Sequence, residues 1–357
     1  MTDLVWHSSF ASLTGYSGSA RALVLALEAR GRAVRPLYLF DSDDREAAQG
    51  PSDPRIRALQ GRPLRLDVPQ VVYGRGDLFA KNSGRYRVGF TMLEVDRLPP
   101  AWVEQANQMD EVWAPTAWGA EMFRASGVAR PVYDVPLGVD LARFSPGPPR
   151  ERLAERTVFI SVFEWGRRKG WDVLLRAYRA AFRPADPVLL LLKLDSRAPA
   201  GNPLRELAAA LPAPAPPVGV LYNRAMAPAE LAELYRAADC FVLPSRGEGW
   251  CMPALEAMAC GAPAIVTAWG GPTAFVDEAV GYPLRVGGLA PADAGEPLYK
   301  GARWAEPDGE HLVELLRHVH RNRAEARAKG ERAAAAARRW SWDAAAARVI
   351  ERLGAVG

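Results

Sequence analysis

The sequence predicts an α/β protein of two successive domains, each built on a doubly wound parallel sheet. The length of 357 residues suits two domains. Short apolar runs alternate with stretches of helical periodicity, which is typical of parallel sheets covered by helices. The alternation restarts after a proline-rich polar stretch at residues 138–152, which we interpret as the linker.

The first half of the chain holds six predicted strands and three predicted helices. The strands are Leu4–Trp6, Val34–Phe40, Gln70–Tyr73, Arg87–Thr91, Glu111–Ala114 and Val132–Val135. The helices are Ala20–Arg30, Trp102–Gln108 and Ala117–Ser126.

The second half repeats the alternation. Its predicted strands are Val158–Phe163, Val188–Leu194, Val218–Tyr222, Cys240–Leu243 and Ala264–Thr267. Its predicted helices are Trp171–Ala181, Pro203–Leu211, Pro228–Ala237, Pro253–Ala259, one or two within His311–Ala337, and Trp342–Leu353. The segment Leu284–Pro307 has little periodicity and many Gly, Pro and Ala residues, so we expect it to lack regular structure and to be functional or mobile.

Composition excludes several classes of function. A net charge of +4, from 45 Lys+Arg against 41 Asp+Glu, is too small to indicate a nucleic-acid-binding face. The three cysteines form no zinc pattern, so we expect buried thiols in a reduced, cytoplasmic chain. No apolar run approaches the roughly 18 residues of a membrane span, and the first residues do not resemble a signal peptide.

The strongest motif is SRGEGWCMPALEAMACGAPAIVT, at residues 245–267. It follows a predicted strand and contains a glycine-bearing loop, and Pro253 occupies a place that proline favours at the start of a helix. Such a turn exposes backbone N–H groups at a helix N-terminus, which suits anionic or hydroxyl-rich ligands. Glu248 lies in the loop and Glu256 in the helix, so the two carboxylates can contact different ends of one extended ligand.

This motif, EGWCMPALE, resembles the E-x7-E motif of retaining glycosyltransferases with the GT-B fold, above all glycosyltransferase family 4, the glycosyl transferases group 1. Four further segments are similar to that family in order and spacing: VPLGVDLARFSP (135–146), RRKGWDVLLRAY (167–178), LAELYRAADCFVLPS (231–245) and AMACGAPAIVTAWGG (257–271). The resemblance covers nearly the whole chain. It implies two Rossmann-like domains facing across a cleft: residues 1–146 on the acceptor side, joined by a C-terminal helix at 340–357, and residues 147–339 for the nucleotide sugar.

The resemblance also implies roles for individual residues. Glu256 matches the glutamate that binds the ribose hydroxyls of the donor, and Glu248 matches the one that contacts the transferred sugar. Lys169 matches a lysine that stabilises the diphosphate. The usual arginine position is occupied by Glu164, so Arg167 or Arg168 is expected to supply the guanidinium; the alternative for each arginine is a solvated surface side chain.

The other donor-binding positions are implied in the same way. They are Gly249, Trp250, Cys251, Met252, Leu255, Tyr222 near the base, and Gly15 and Gly18 in a glycine-rich loop after the first strand. The loop pattern G-x-x-G-x-A is not a dinucleotide fingerprint, and a plain strand-to-helix turn is the alternative.

Many relatives place a histidine after a central strand of the first domain, but this chain has no histidine between residues 8 and 310. We expect Glu94, in the stretch VGFTMLEVDRLPPAWVEQ, to orient the acceptor or donor there. A capping role or an ion pair with Arg97 is the alternative.

The resemblance implies a retaining, metal-independent glycosyltransferase without a cofactor. It would transfer a hexose-type sugar from a UDP- or GDP-sugar to a glycan, a lipid-linked acceptor or a small molecule. A nucleotide-sugar-binding subunit without activity and an epimerase on the same fold are alternatives. Asp41-Ser42-Asp43 matches the metal signature of the other glycosyltransferase fold, but we expect no metal there. Peripheral contact with a membrane and the oligomeric state stay open.

Overall fold

The structure, a computed structural model, describes residues 3–12, 14–39, 53–147, 155–196, 202–292 and 296–355. Contacts divide the chain into two compact units, Met1–Gly138 with Trp340–Gly357, and Val139–Arg339. The sequence predicts the boundary near residue 146, whereas these contacts divide the chain after Gly138. Asp41 and Asp43 lie outside the described residues.

The first unit contains a six-stranded sheet in which all neighbouring strands are parallel. Its strands are β1 (Leu4–Ser8), β2 (Val34–Tyr38), β3 (Gln70–Tyr73), β4 (Arg87–Phe90), β5 (Glu111–Ala114) and β6 (Val132–Asp134). The strand order is β2-β1-β3-β4-β5-β6, so the connections diverge between β1 and β3. The helices of this part of the chain are α1 (Gly15–Ala29), α2 (Pro54–Gln60), α3 (Pro100–Ala106) and α4 (Ala117–Ala125).

The second unit also contains a six-stranded parallel sheet. Its strands are β7 (Thr157–Glu164), β8 (Val188–Asp195), β9 (Val218–Tyr222), β10 (Cys240–Leu243), β11 (Ala264–Thr267) and β12 (Tyr282–Leu284). Its helices are α5 (Trp171–Ala181), α6 (Pro203–Ala210), α7 (Pro228–Arg236), α8 (Met252–Ala259), α9 (Gly309–Arg321) and α10 (Arg323–Ala337). The order β12-β11-β10-β7-β8-β9 is that of a doubly wound sheet whose connections diverge between β7 and β10.

The strands form where the sequence supplies uninterrupted apolar runs. Val158, Phe159 and Ile160 of β7 are almost fully buried, as is every residue of β10. Strands buried on both faces lack the alternation of a half-exposed strand, because helices cover both faces of a parallel sheet. The predicted fold class is therefore confirmed in both units.

The segment Leu284–Pro307 corrects one expectation. It contains strands β13 (Val286–Pro291) and β14 (Arg303–Pro307), which pair as an antiparallel hairpin. Trp304 of β14 is buried and packs edge-on against Tyr299, with ring centroids 6.2 Å apart. The glycines and prolines of this segment weaken the strand signal in the sequence, whereas the tertiary contacts of Trp304 hold the hairpin in place.

The last helix, α11 (Trp342–Gly354), belongs to the first unit. Arg352 donates to the buried Glu111 of β5 at 2.6 Å, and Arg30, the C-cap of α1, pairs with Asp343 at 2.7 Å. The described helices are all too short or too polar to cross a membrane.

Candidate functional site

The candidate site lies in the second unit, at the carboxyl ends of β7 and β10. These strands are neighbours in the sheet, and the connections that leave them diverge. Divergence opens a crevice beyond the strand ends, which is where open α/β sheets bind ligands. The loop after β7 carries Lys169, and the loop after β10 carries Glu248, so the fold brings the two predicted loops together.

The loop after β7 ends in a single 3-10 turn, Arg167–Lys169, followed by Gly170. Gly170 has a φ of +67°, in the left-handed region that favours glycine. A Cβ atom at this position would overlap the carbonyl oxygen of Pro244, at the start of the loop after β10. Glycine is therefore what lets the two loops approach closely.

Glu248 forms the centre of the charged cluster. Lys169 Nζ donates to Glu248 Oε1 at 2.6 Å, and Arg168 Nη1 donates to the same oxygen at 3.2 Å. Arg168 Nη1 also donates to the carbonyl oxygen of Gly247 at 2.6 Å. Lys169 and Arg168, which the sequence motifs assign to the same site as Glu248, thus contact its carboxylate directly.

The electrostatics of this cluster favour an ionised carboxylate. Glu248 is 6% exposed, and burial alone would raise its pKa. The neighbouring charges of Lys169 and Arg168 outweigh that effect, so the pKa of Glu248 lies below its ordinary value. With the two side chains protonated and the carboxylate ionised, the three groups carry a net charge of +1, which suits an anionic ligand.

Glu164, the last residue of β7, and Arg167, in the turn that follows, are both exposed. Arg167 takes part through its main chain, since its carbonyl oxygen accepts a hydrogen bond from Arg246 Nη1 at 2.7 Å. Of the two arginines that the sequence left open, Arg168 is the one whose guanidinium contacts Glu248.

The loop that carries Glu248 is hydrogen-bonded to the last residue of β11 and to the segment that follows it. Gly271 N donates to the carbonyl oxygen of Glu248 at 2.7 Å, and Thr267 Oγ1 donates to that of Ser245 at 2.6 Å. Gly270 has a φ of +77°, and a Cβ there would lie 2.7 Å from the Glu248 oxygen. This packing holds the main chain of the loop at Ser245 and Glu248.

Helix α8 begins immediately after this loop. Its N-cap, Cys251, has a φ of +80°, an uncommon conformation for a residue other than glycine and one that occurs often at functional sites. Trp250, Cys251 and Leu255 are buried, and Gly249 is buried as well. The first amides of a helix have no intrahelical partner, so the backbone where α8 begins, at Met252, can donate to a ligand.

Glu256, one turn into α8, accepts a hydrogen bond from Tyr235 Oη at 3.1 Å on its Oε2 atom. Burial raises the pKa of Glu256 to about 7, and the Tyr235 bond lowers it by less. The carboxyl group is therefore shared between its two protonation states near neutral pH. Hydroxyl groups that donate to it would favour the ionised state.

Two residues of this site were not found from the sequence. Tyr235 lies in α7, where an aromatic residue at helical spacing signals only a core position. Arg246 is 2% exposed and is bonded to Asp172 and Glu306. The sequence signal for Arg246 was a lone basic residue near the start of the 245–267 motif. Its carboxylate partners lie 74 and 60 residues away in the sequence.

Tyr222 lies at the end of β9, two strands from β7 in the sheet, and is half-buried. Asn223, the next residue, has a φ of 47° and accepts a hydrogen bond from Ser196 N at 2.8 Å through Oδ1. Tyr222 is thus at the same edge of the sheet as the loops that carry Lys169 and Glu248.

In the first unit, the expectation that Gly15 and Gly18 lie in a loop is wrong. Thr14 caps helix α1 by accepting from Ser17 N at 3.3 Å, so the helix begins at Gly15 and includes Gly18. A cap of this kind starts a helix despite glycine's low helix propensity. A Cβ atom on either glycine would meet no other atom within 4 Å, so this face of the first turn is open.

Glu94 follows β4 and is half-buried in the first unit. Burial, with a smaller contribution from the Glu94 charge, raises the pKa of Tyr16 to about 12. Arg97, the ion-pair partner that the sequence suggested for Glu94, lies 3.5 Å from Asp96. Glu94 is thus near the N-terminal turn of α1.

Across the described ranges, no group of three or more His, Cys, Asp or Glu side chains is arranged to hold a metal ion. The three cysteines are buried and free.

Comparison with known proteins finds a family match within the second unit. Residues 154–296 match the family model described as glycosyl transferases group 1. A D-inositol 3-phosphate glycosyltransferase from Segniliparus rotundus is 33% identical over 223 residues, which are 59% of this chain and 44% of the relative. One of the same description from Xylanimonas cellulosilytica is 32% identical over 66% of this chain and 52% of the relative. The chain thus spans about half the length of these curated relatives.

Solved structures extend the likeness to both units. HepE from Anabaena, in complex with UDP and glucose, aligns with a TM-score of 0.73 at 14% identity over 99% of this chain and 100% of HepE. Sucrose-phosphate synthase from Thermosynechococcus elongatus aligns with the same score at 17% identity over 100% of both chains. At these identities the alignments establish the fold. Residues 154–296 therefore resemble the glycosyl transferases group 1, and the chain has the GT-B glycosyltransferase fold.

Proposed function

We propose that this protein is a retaining glycosyltransferase that transfers a hexose-type sugar from a UDP- or GDP-sugar to an acceptor without a metal ion. The observation that carries the proposal is the contact of Lys169 and Arg168 with Glu248 where the connections of the second sheet diverge. It joins cations for a diphosphate to a carboxylate for sugar hydroxyls in one crevice.

Each group of the site has a part in this proposal. Lys169 and Arg168 bind the diphosphate and stabilise the charge that develops on the leaving phosphate oxygen. Glu248 accepts hydrogen bonds from hydroxyls of the transferred sugar, and Glu256 accepts them from the ribose. Backbone amides at Gly249–Met252 donate to the sugar. Glu94 and the open first turn of α1, at Gly15 and Gly18, are proposed to orient the acceptor or the donor from the first unit.

The proposed reaction keeps the anomeric configuration. The bond between the anomeric carbon and the leaving phosphate oxygen breaks, and the acceptor oxygen bonds to that carbon on the same face. The acceptor proton passes to the departing phosphate oxygen. No side chain has to act as the base, because the leaving group accepts the proton.

UDP is the first nucleotide to test. Among the solved neighbours, HepE is in complex with UDP and glucose, and an E. coli structure that aligns with a TM-score of 0.69 is bound with UDP-2-fluoro glucose. The free cysteines agree with a cytoplasmic reaction, since cytosolic proteins rarely form disulfides. We leave the acceptor among glycans, lipid-linked sugars and small molecules.

Activity with and without a chelator tests the proposal. The full chain is incubated with UDP-glucose, UDP-N-acetylglucosamine or GDP-mannose and an acceptor panel, once with a divalent metal ion and once with EDTA, and released nucleoside diphosphate is measured. We expect turnover of at least one donor in EDTA and a product that keeps the donor's anomeric configuration by proton NMR. Inversion would overturn the mechanism, and a strict need for a divalent ion would overturn metal independence.

Two variants separate an enzyme from a binding subunit. Lys169→Met should lower turnover by about 100-fold or more, the usual cost of one charge-stabilising donor. Glu331→Gln, on the exposed face of α10, is the matched control and should retain it. Donor binding without turnover in the parent and both variants would favour the binding subunit.

A further inference from the structure

Arg246 lies behind the charged cluster, in the same loop as Glu248. Its guanidinium donates five hydrogen bonds. Nε and Nη2 donate to the two carboxylate oxygens of Glu306 at 2.8 and 2.7 Å, and Nη1 and Nη2 donate to those of Asp172 at 2.7 and 3.0 Å. Nη1 also donates to the carbonyl oxygen of Arg167 at 2.7 Å.

This bonding uses all of the five N–H donors that an arginine carries. Arg246 is 2% exposed, and a buried charge is tolerated only when it is paired and fully hydrogen-bonded. A lysine at this position could supply three donors and no planar fork. The site therefore requires an arginine in one defined orientation.

The bonds hold the main chain of the Arg167–Lys169 turn. Arg246 N donates to the carbonyl oxygen of Arg168 at 2.7 Å, one residue after the Arg167 carbonyl that Nη1 binds. Glu248, two residues further along the same loop, contacts the side chains of Arg168 and Lys169. The loop after β10 is thus attached to the Arg167–Lys169 turn in two ways. Arg246 binds the backbone of the turn, and Glu248 binds the side chains of Arg168 and Lys169.

A ligand can change only one of these two attachments. A diphosphate competes with Glu248 for Arg168 and Lys169, because both are anions that accept from the same donors. The Arg246 bonds lie on the backbone side and are not in competition. The turn therefore keeps its orientation when its side chains exchange a carboxylate for a phosphate.

We propose that Arg246 is a positioning residue, which holds the Arg167–Lys169 turn so that Arg168 and Lys169 point at the diphosphate of the donor. This inference rests on the proposed function, since it concerns the same cations. Arg246 touches no reacting atom in this scheme and acts through the two cations.

The β13–β14 hairpin is part of the same attachment. Ala305 N donates to the carbonyl oxygen of Arg246 at 2.9 Å, and Glu306, the next residue of β14, pairs with its guanidinium. The hairpin that the sequence does not predict therefore supplies one of the two carboxylates that keep Arg246 in place.

The difference in affinity between a nucleoside diphosphate and its nucleoside isolates the contribution of the cations. UDP against uridine, and GDP against guanosine, are titrated into the full chain by NMR or calorimetry. For the nucleotide that the parent prefers, Arg246→Lys and Arg246→Met should each lower the ratio of diphosphate to nucleoside affinity by about 10- to 100-fold, because small misplacement of a binding group costs this much. The nucleoside affinity itself should not change.

Arg176→Gln is the matched control. Arg176 also pairs with Asp172, at 3.1 Å, but its side chain is exposed and does not contact the turn. Its ratio should equal that of the parent. Glu306→Gln provides a milder variant: it removes one charge beside Arg246, and we expect a fall of a few-fold in the same direction.

The outcomes are distinct. A parent ratio near one for both nucleotides would refute the proposed function and, with it, this inference. A high parent ratio that persists in Arg246→Lys and Arg246→Met would refute the inference alone. If neither variant folds by circular dichroism and thermal unfolding, Glu306→Gln decides: a lowered ratio supports the positioning role, and an unchanged one refutes it.

Discussion

Replacing Glu248 with glutamine should strengthen nucleotide binding while it abolishes transfer. Lys169 and Arg168 donate to the Glu248 carboxylate, so we expect a diphosphate to compete with that anion for the two cations. UDP carries no transferred sugar, and the sugar is what Glu248 is proposed to bind. Removing the charge therefore removes a competitor without removing a nucleotide contact.

The 2.6 Å distance from Lys169 Nζ to Glu248 Oε1 sets the scale. At an effective dielectric constant of about 20, the gross Coulomb attraction of that pair is about 6 kcal/mol. When Lys169 leaves Glu248 it regains most of this attraction by pairing with a phosphate oxygen. The change in desolvation of the charged groups offsets part of the energy that is not regained. A net gain of about 1.4 kcal/mol, or tenfold in affinity, is a conservative expectation.

Calorimetric titration of UDP or GDP into Glu248→Gln gives the affinity, and turnover of the sugar nucleotide gives the activity. We expect about tenfold tighter nucleotide binding and a loss of turnover of about 100-fold or more, while Glu331→Gln matches the parent in both. Weaker nucleotide binding in Glu248→Gln, as expected for Lys169→Met, would refute the competition between carboxylate and phosphate.

Three further expectations concern the rest of the protein. Because burial raises the pKa of Glu256 to about 7 and ribose hydroxyls favour its ionised form, UDP affinity should rise by up to about tenfold from pH 6 to 8, and this gain should be absent in Glu256→Gln. Gly170→Ala should lower the free energy of unfolding, measured by urea unfolding, by about 3 kcal/mol, because alanine disfavours the left-handed φ and its Cβ would overlap the Pro244 carbonyl oxygen. Gly166→Ala is the control and should leave the free energy of unfolding unchanged, because a Cβ there would meet no atom within 4 Å. Arg352→Met should cost about 3 kcal/mol of the same free energy, because the buried Glu111 carboxylate loses its cationic partner and keeps only the neutral donors Trp113 and Tyr86. The more exposed Arg348→Met should cost less than about 1 kcal/mol. Equal losses of stability in Gly170→Ala and Gly166→Ala, or in Arg352→Met and Arg348→Met, would contradict the structural reasons given. An equal pH response in the parent and Glu256→Gln would contradict the role of Glu256.

Most strands were predictable because a parallel sheet buried on both faces leaves an uninterrupted apolar run. β3, β5, β9, β10 and β11 have the predicted bounds. The start of α1 was not predictable from composition, since the glycines at 15 and 18 favour a loop, whereas the Thr14 cap favours a helix. The hairpin β13–β14 was missed because its strands are held by tertiary contacts.

The charged cluster of the site was predictable in part. A carboxylate and a lysine in loops that follow two strands of the sheet could be placed together, because family motifs mark both loops. The choice of Arg168 over Arg167 depends on which way a single 3-10 turn faces, and no pattern in RRKG encodes that direction. Arg246 needed the fold itself, since its carboxylate partners come from α5 and β14.

The central claim is that the crevice between the loops after β7 and β10 binds the donor's nucleoside diphosphate. A crystal structure of the full chain soaked with UDP, or with GDP if that nucleotide binds more tightly, tests it most directly. We expect Lys169 Nζ and the Arg168 guanidinium within about 3 Å of phosphate oxygens, and the Glu256 carboxylate bonded to the ribose hydroxyls. A nucleotide bound elsewhere, with Lys169 and Arg168 still paired to Glu248, would contradict the account.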